Sequence, residues 1–161
     1  MAMEGRILIT GGRVIDPASG IDKVADVLIE HGKVKAVGKV AKSSTTGAKV
    51  MDAKGLKVAP GLIDLHVHLR EPGDEQEETI ASGSAAAVAG GITSVVCMAN
   101  TRPPCDSEAA AEYVILQGAR AGLANIFPVG AVTKRREGKE LAEIGQLAKA
   151  GAVAFSDAGD P

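Results

Sequence analysis

His66 and His68 stand one residue apart in the stretch GLIDLHVHLREPG, residues 61–73, and are two of only three histidines in the chain. Side chains alternate faces along a strand, so an extended reading puts Asp64, His66 and His68 on one face and Ile63, Leu65 and Val67 on the other. Burying a carboxylate and two imidazoles together is costly unless they pair or bind a metal. Imidazoles at i and i+2 can grip one ion, and they suit zinc and its neighbours in the transition series. The plainer alternative is a pair of hydrogen-bonded core histidines. Just beyond them comes Arg70, whose planar fork matches a carboxylate, with a surface ion pair as the alternative. The third histidine, His31, sits in IEHGKV, which reads as an exposed hairpin turn.

These residues must be held by elements, and the chain changes grammar just before them. Residues 6–58 alternate apolar and polar positions in short runs punctuated by Gly, Asp, Lys and Pro, the pattern of a small β module, assigned here to residues 1–57. From Val58 onward strands and helices alternate. LIDLHVH is a strand, and a helix is expected from about Glu75 to Ala89. GITSVVCM is a buried strand, after which Asp106 is expected to cap a helix with Ala110, Ala111, Val114, Ile115 and Gly118 facing inward. NIFPVGAV, a helix grouping Leu141, Ile144 and Leu147, and GAVAFSD complete the series. Four βα units over residues 58–161 imply a parallel sheet with right-handed crossovers, an α/β fold. A closed (β/α)8 barrel needs twice as many units, so the expectation is its first half, preceded by a small β-sandwich module.

Composition narrows the function classes. Hydrophobic residues are 45% and charged residues 24%, with a net charge of −2, which fits a globular protein without a nucleic-acid-binding charge balance. Aromatics are 2% with no Trp, so no stacking platform for single strands exists. The basic run KRREGK reads as a solvated loop. No secretory leader or long apolar span is seen, and Cys97 and Cys105 form no CxxC pair, so a reduced, cytoplasmic protein without membrane contact is expected. Cys97 reads as a small buried hydrophobe and Cys105 as an incidental loop thiol.

DLHVHLREPG, taken with MANTRPPCDS about thirty residues later, resembles the cyclic amidohydrolases, and among them the dihydroorotases. VAPGLIDLHVH resembles that superfamily's entry into its barrel, and the β module resembles its small sandwich domain. The resemblance implies that His66 and His68 bind a metal, that Arg70 and Asn100 bind the substrate carboxylate, and that Asp157 reaches the metal from the fourth strand in place of a carboxylated lysine. It implies zinc, one or two ions, and a reversible conversion of N-carbamoyl-L-aspartate to dihydroorotate in pyrimidine biosynthesis. Asp64 is a candidate for orienting a histidine, and a helix-cap role is the rival for Asp157. The pattern is not followed throughout: Ala158 stands where a second Asp is usual, and Met98-Ala99-Asn100 where MPN is commoner. Two further histidines and an acid/base Asp would fall beyond Pro161, so the chain alone is expected to be an inactive N-terminal part. Alternatives are a dihydropyrimidinase or allantoinase, or a non-catalytic dihydroorotase-like subunit. A homodimer or a complex with aspartate carbamoyltransferase is the partner expectation.

Overall fold

The structure, a computed structural model, describes residues 5–41 and 46–159. It divides into two compact units, Met1–Pro60 and Gly61–Pro161.

In the first unit β1 (Arg6–Asp16), β2 (Ile21–Glu30), β3 (Lys33–Gly38), β4 (Ala48–Asp52) and β5 (Lys57–Val58) form one five-stranded sheet. Its order is β3-β2-β1-β4, with β5 pairing further along β1. β2 and β3 run antiparallel to their neighbours, whereas β4 and β5 run parallel to β1. His31 and Gly32 form the β2–β3 connection with φ of 50° and 73°. Two consecutive positive φ values match the twist of a tight hairpin, so His31 is the turn residue its surroundings implied. The described residues of this unit make a single sheet layer.

The second unit holds the βα series: β6 (Leu62–Val67), α1 (Ile80–Ala89), β7 (Ile92–Cys97), α2 (Glu108–Ala121), β8 (Asn125–Gly130), α3 (Ile144–Ala150) and β9 (Ala154–Phe155). All four strands are parallel in the order β6-β7-β8-β9, a curled half-barrel. Strand alternation sorts the core into two layers. Val95, Cys97 and Ile126 pack with Ile80 and Val114 on the helix side, while Val96, Met98 and Val129 cluster on the other face. α2 presses on β8 so closely that a Cβ at Gly118 would come within 2.8 Å of Ile126, so only glycine fits there.

Several expected boundaries move. α1 starts at Ile80, not near Glu75, because Thr79 is extended and closes a capping box with Ser82. Residues before it fold into turns, in which Glu77 and Glu78 donate their amides to the Asp74 carbonyl. α2 is capped by Ser107 rather than Asp106, whose carboxylate instead accepts the amide of Arg135 at 2.8 Å. Leu141 lies outside α3, exposed and bridged to Thr133, while Leu147 alone of that expected trio is fully buried. Both thiols are buried: Cys97 on β7, and Cys105 in the loop between β7 and α2, where it packs into an apolar cluster with Ala111 and Leu147. Burial pushes Cys97 up to about 12 and Cys105 up to about 11, so neither is a thiolate nucleophile near neutral pH.

Candidate active site

β6 does not keep simple alternation. Between Asp64 and Val67 it advances three residues while its partner advances two, from Val95 to Cys97. One extra residue on β6 is a bulge, and a bulge changes which face the following side chains take. Val67 accordingly packs on the helix-side core, but Leu65 is 72% exposed and lines, together with His66, a cavity of about 620 Å³ bounded by Val96, Met98, Phe127 and Val129. The expected apolar trio of Ile63, Leu65 and Val67 is therefore split. Asp64 serves the irregular segment: its carboxylate accepts the backbone N–H of His66 at 3.1 Å. It orients the histidine through the main chain, not through the ring.

The two imidazoles meet edge to face, with centroids 5.2 Å apart and planes at 71°. His68 Nδ1 lies 2.8 Å from Asn100 Oδ1, across the C-terminal ends of β6 and β7. An amide oxygen can only accept, so in this contact Nδ1 donates, and a neutral ring would then present the Nε2 lone pair, the tautomer a metal-ligating imidazole needs. The donor chemistry of the pair thus suits a borderline-soft divalent metal such as zinc. Among the described residues no group of three or more His, Cys, Asp and Glu side chains converges to hold an ion.

Arg70 adopts φ 61° immediately beyond β6, and its Nε sits 3.3 Å from Glu77 Oε2. The loop that carries it is fastened at several points. Glu71 accepts the Ile80 N–H at 2.8 Å and the Tyr113 hydroxyl at 3.0 Å. Pro72 O accepts the amide of Arg102 at 2.9 Å, and Asp74 pairs with the Arg102 guanidinium at 3.1 Å, joining the loop after β6 to the loop after β7. Gly73, at φ 108°, is required at this junction, because a Cβ there would fall 2.2 Å from Arg102 O.

Asp157 follows β9. Its carboxylate accepts the Val132 N–H at 2.8 Å, the Thr133 N–H at 3.1 Å and the Thr133 hydroxyl at 2.5 Å, which ties the end of β9 to the loop after β8. Burial raises its pKa, but the Thr133 hydroxyl, the Thr133 and Val132 amides and the nearby Arg136 charge outweigh that and hold it below the ordinary value. A depressed carboxylate stabilises the fold above its unfolded pKa, and that contribution is lost as pH falls through the folded value. At neutral pH Asp157 is ionised. The structure thus brings His66, His68 and Asn100 together at adjacent strand ends, with Arg70 in the next loop, and gives Asp157 hydrogen-bond partners of its own.

A family model described as dihydro-orotase-like matches residues 55–160. The chain belongs to this family. It is 53% identical over 155 residues, 96% of its length, to a dihydroorotase of Pelobacter propionicus, and equally so to one of Geobacter sulfurreducens. It spans about 36% of the length of these curated relatives. Among solved structures it resembles an L-hydantoinase (dihydropyrimidinase) from Arthrobacter aurescens, with a TM-score of 0.77, 28% identity and coverage of 94% of this chain and 32% of that one. A D-hydantoinase from Thermus sp. matches with a TM-score of 0.64 and 27% identity, over 89% of this chain and 30% of that one. The family's fold accounts for the parallel half-barrel and for a site at the C-terminal strand ends. Glu71, Tyr113, Thr133 and the Asp74–Arg102 pair were not singled out from sequence. Glu71 alone carried a local signal, its place inside REPG; the others act across 24 to 42 residues and leave no mark in spacing.

Proposed function

We propose that this chain carries the metal-binding and carboxylate-reading part of a dihydroorotase, which reversibly opens dihydroorotate to N-carbamoyl-L-aspartate. The observation that carries the reading is the His68–Asn100 contact of 2.8 Å, which seats the histidine pair beside an amide and one loop from a guanidinium. His66 and His68 would hold zinc, with Asp157 the carboxylate contributed from the end of β9. When bound, the metal supplies Lewis acidity toward an amide carbonyl. The chain's own residues supply orientation. Asn100, having spent its oxygen on His68, retains its NH2 group as a donor for a substrate carboxylate, and Arg70 offers the charged partner. Holding that carboxylate sets the ring so that its amide faces the histidines, and such positioning is itself a large part of a rate enhancement.

A charged ring substituent separates dihydroorotate from the neutral dihydropyrimidines, whose hydrolases the chain also resembles in fold. The whole protein should therefore turn over dihydroorotate with a kcat/KM about one to two orders of magnitude above that for dihydrouracil, since a hydrogen bond to a charged group contributes about 1.5–3 kcal/mol. Steady-state assays on both substrates test it, and a preference for dihydrouracil would move the assignment to a dihydropyrimidinase.

For Asp157 two roles make different predictions. As a ligand, its replacement by Ala lowers metal content along with activity. As a tie between β9 and the loop after β8 only, the same replacement costs about 1–3 kcal/mol of stability, because the amides of Val132 and Thr133 lose their acceptor, and leaves metal in place. Metal content and melting temperature measured on one sample of the whole protein are expected to fall together, with Asp157→Asn restoring most of the stability but not the metal.

A further inference from the structure

We propose that Glu71 is a positioning residue that fixes Arg70, by locking the loop after β6 onto the first turn of α1 and onto α2. The inference rests on the reading of Arg70 as the carboxylate-binding group. Arg70 occupies the left-handed region at φ 61°, a conformation that non-glycine residues hold only where the surroundings over-determine it. Its main chain is pinned on both sides: Glu71 N–H donates to Leu69 O at 2.7 Å, and Asp74 N–H donates to Arg70 O at 3.0 Å. What holds this tight turn against the helices is the Glu71 carboxylate. One oxygen accepts the Ile80 N–H at 2.8 Å, a donor that the start of α1 leaves without an intrahelical acceptor, and the other accepts the Tyr113 hydroxyl at 3.0 Å, from a residue 42 positions away. Tyr113 packs against the helix-side core formed by Leu69, Ile80 and Val114, so its hydroxyl is a fixed point and not a floating surface group. Leu69, buried directly before Arg70, anchors the other flank.

Each carboxylate oxygen of Glu71 thus already accepts a hydrogen bond from the surrounding structure, one from the start of α1 and one from α2. Its influence on the reaction runs through the place where the Arg70 guanidinium comes to lie. Loosening the lock should therefore cost affinity for a carboxylate-bearing ring and nothing for a neutral one. A glutamate that served only general stability would weaken both substrates alike through loss of folded protein.

The experiment uses the whole protein with zinc bound, and the variants Tyr113→Phe, Glu71→Gln, Arg70→Met and the two doubles that combine Arg70→Met with each of the others. Tyr113→Phe deletes one oxygen and keeps the ring in the core, so the protein folds even if Glu71→Gln does not. Readouts are KM and kcat on dihydroorotate and on dihydrouracil, and amide hydrogen exchange of the peptide spanning residues 69–79. Tyr113→Phe is expected to speed exchange in that peptide and raise KM for dihydroorotate about three- to tenfold, less than loss of the guanidinium itself would cost, because Arg70 is displaced and not removed. Its kcat should stay within about twofold, and dihydrouracil kinetics should not move. Added to Arg70→Met, neither change should raise KM further, because the group being positioned is already gone. Unchanged exchange in residues 69–79 overturns the lock whatever the kinetics do. Faster exchange with additive doubles, or with equal loss on both substrates, also overturns it, since Glu71 would then act elsewhere than through Arg70. If Arg70→Met itself leaves dihydroorotate kinetics unchanged while exchange still rises in Tyr113→Phe, the carboxylate reading of Arg70 fails and the lock stands.

Discussion

Replacing His66 or His68 with Ala in the whole protein should remove most of the bound zinc and reduce kcat by at least about a thousandfold, while the fold persists. The two side chains are exposed at the end of β6, and neither belongs to the apolar clusters that hold the half-barrel together. Truncating them creates no core cavity, so stability should change by less than about 1 kcal/mol apart from whatever the metal contributes by binding the native state. The large functional effect follows from arithmetic: removing interactions that stabilise developing charge by about 4 kcal/mol lowers a rate roughly a thousandfold. Asn100→Ala sharpens the test. It leaves both imidazoles in place but removes the acceptor 2.8 Å from His68 Nδ1, which frees that ring to take the other tautomer, and losing such an outer partner typically weakens metal affinity by about 10–100-fold. Zinc titration of the three variants, with circular dichroism on the same samples, should show the order His66→Ala and His68→Ala below Asn100→Ala below wild type. Full zinc content in His68→Ala would break the assignment of the pair.

The second large effect is one of specificity. Arg70→Met should lower kcat/KM for dihydroorotate by about one to two orders of magnitude, since a hydrogen bond to a charged group contributes about 1.5–3 kcal/mol. Metal content should not change, because Arg70 pairs with Glu77 at 3.3 Å and takes no part in the His66–His68–Asn100 cluster. Lys at this position should recover only part of the loss, as a point charge cannot reproduce the fork. Arg70–Glu77 is a partly exposed ion pair and contributes little to stability by itself. On the proposed reading of Arg70, a substrate carboxylate would displace Glu77. Glu77→Gln should accordingly lower KM for dihydroorotate modestly, and the difference from wild type should shrink as salt is raised. Dihydrouracil kinetics indifferent to both substitutions complete the expected pattern, whereas an equal loss on both substrates in Arg70→Met would mean that the residue shapes the loop.

Much of the second unit was legible in the order of residues. Strand and helix alternation from Val58 onward follows from local periodicity and from breakers such as Gly90-Gly91 and Gly122, and these act within a few residues of each other. The HxH pair and Arg70 stood out by residue type and spacing, whereas Asn100 stood out only through the resemblance of its motif to a family pattern, and its approach to His68 at 2.8 Å belongs to the fold. What the sequence did not contain was the phase of β6. Strict alternation assumes a regular ladder, and the extra residue between Asp64 and Val67 arises from pairing with β7, some thirty residues on. That bulge turns Leu65 to the inner face beside His66, and it leaves a backbone amide for Asp64 to satisfy. Helix starts failed likewise. Glu75 through Glu78 have good helix propensity, yet Thr79 breaks away to cap α1, and the freed Ile80 amide goes to Glu71. Asp157 is the clearest case. By sequence it could be a metal ligand or a helix cap, and the fold adds a third set of partners, Val132 and Thr133, supplied by the loop after a neighbouring strand. Spacing along a chain determines which side chains share a strand end, but only the packing of non-local segments decides which hydrogen-bond acceptors are already taken, because every buried amide and hydroxyl must find a partner wherever the fold provides one.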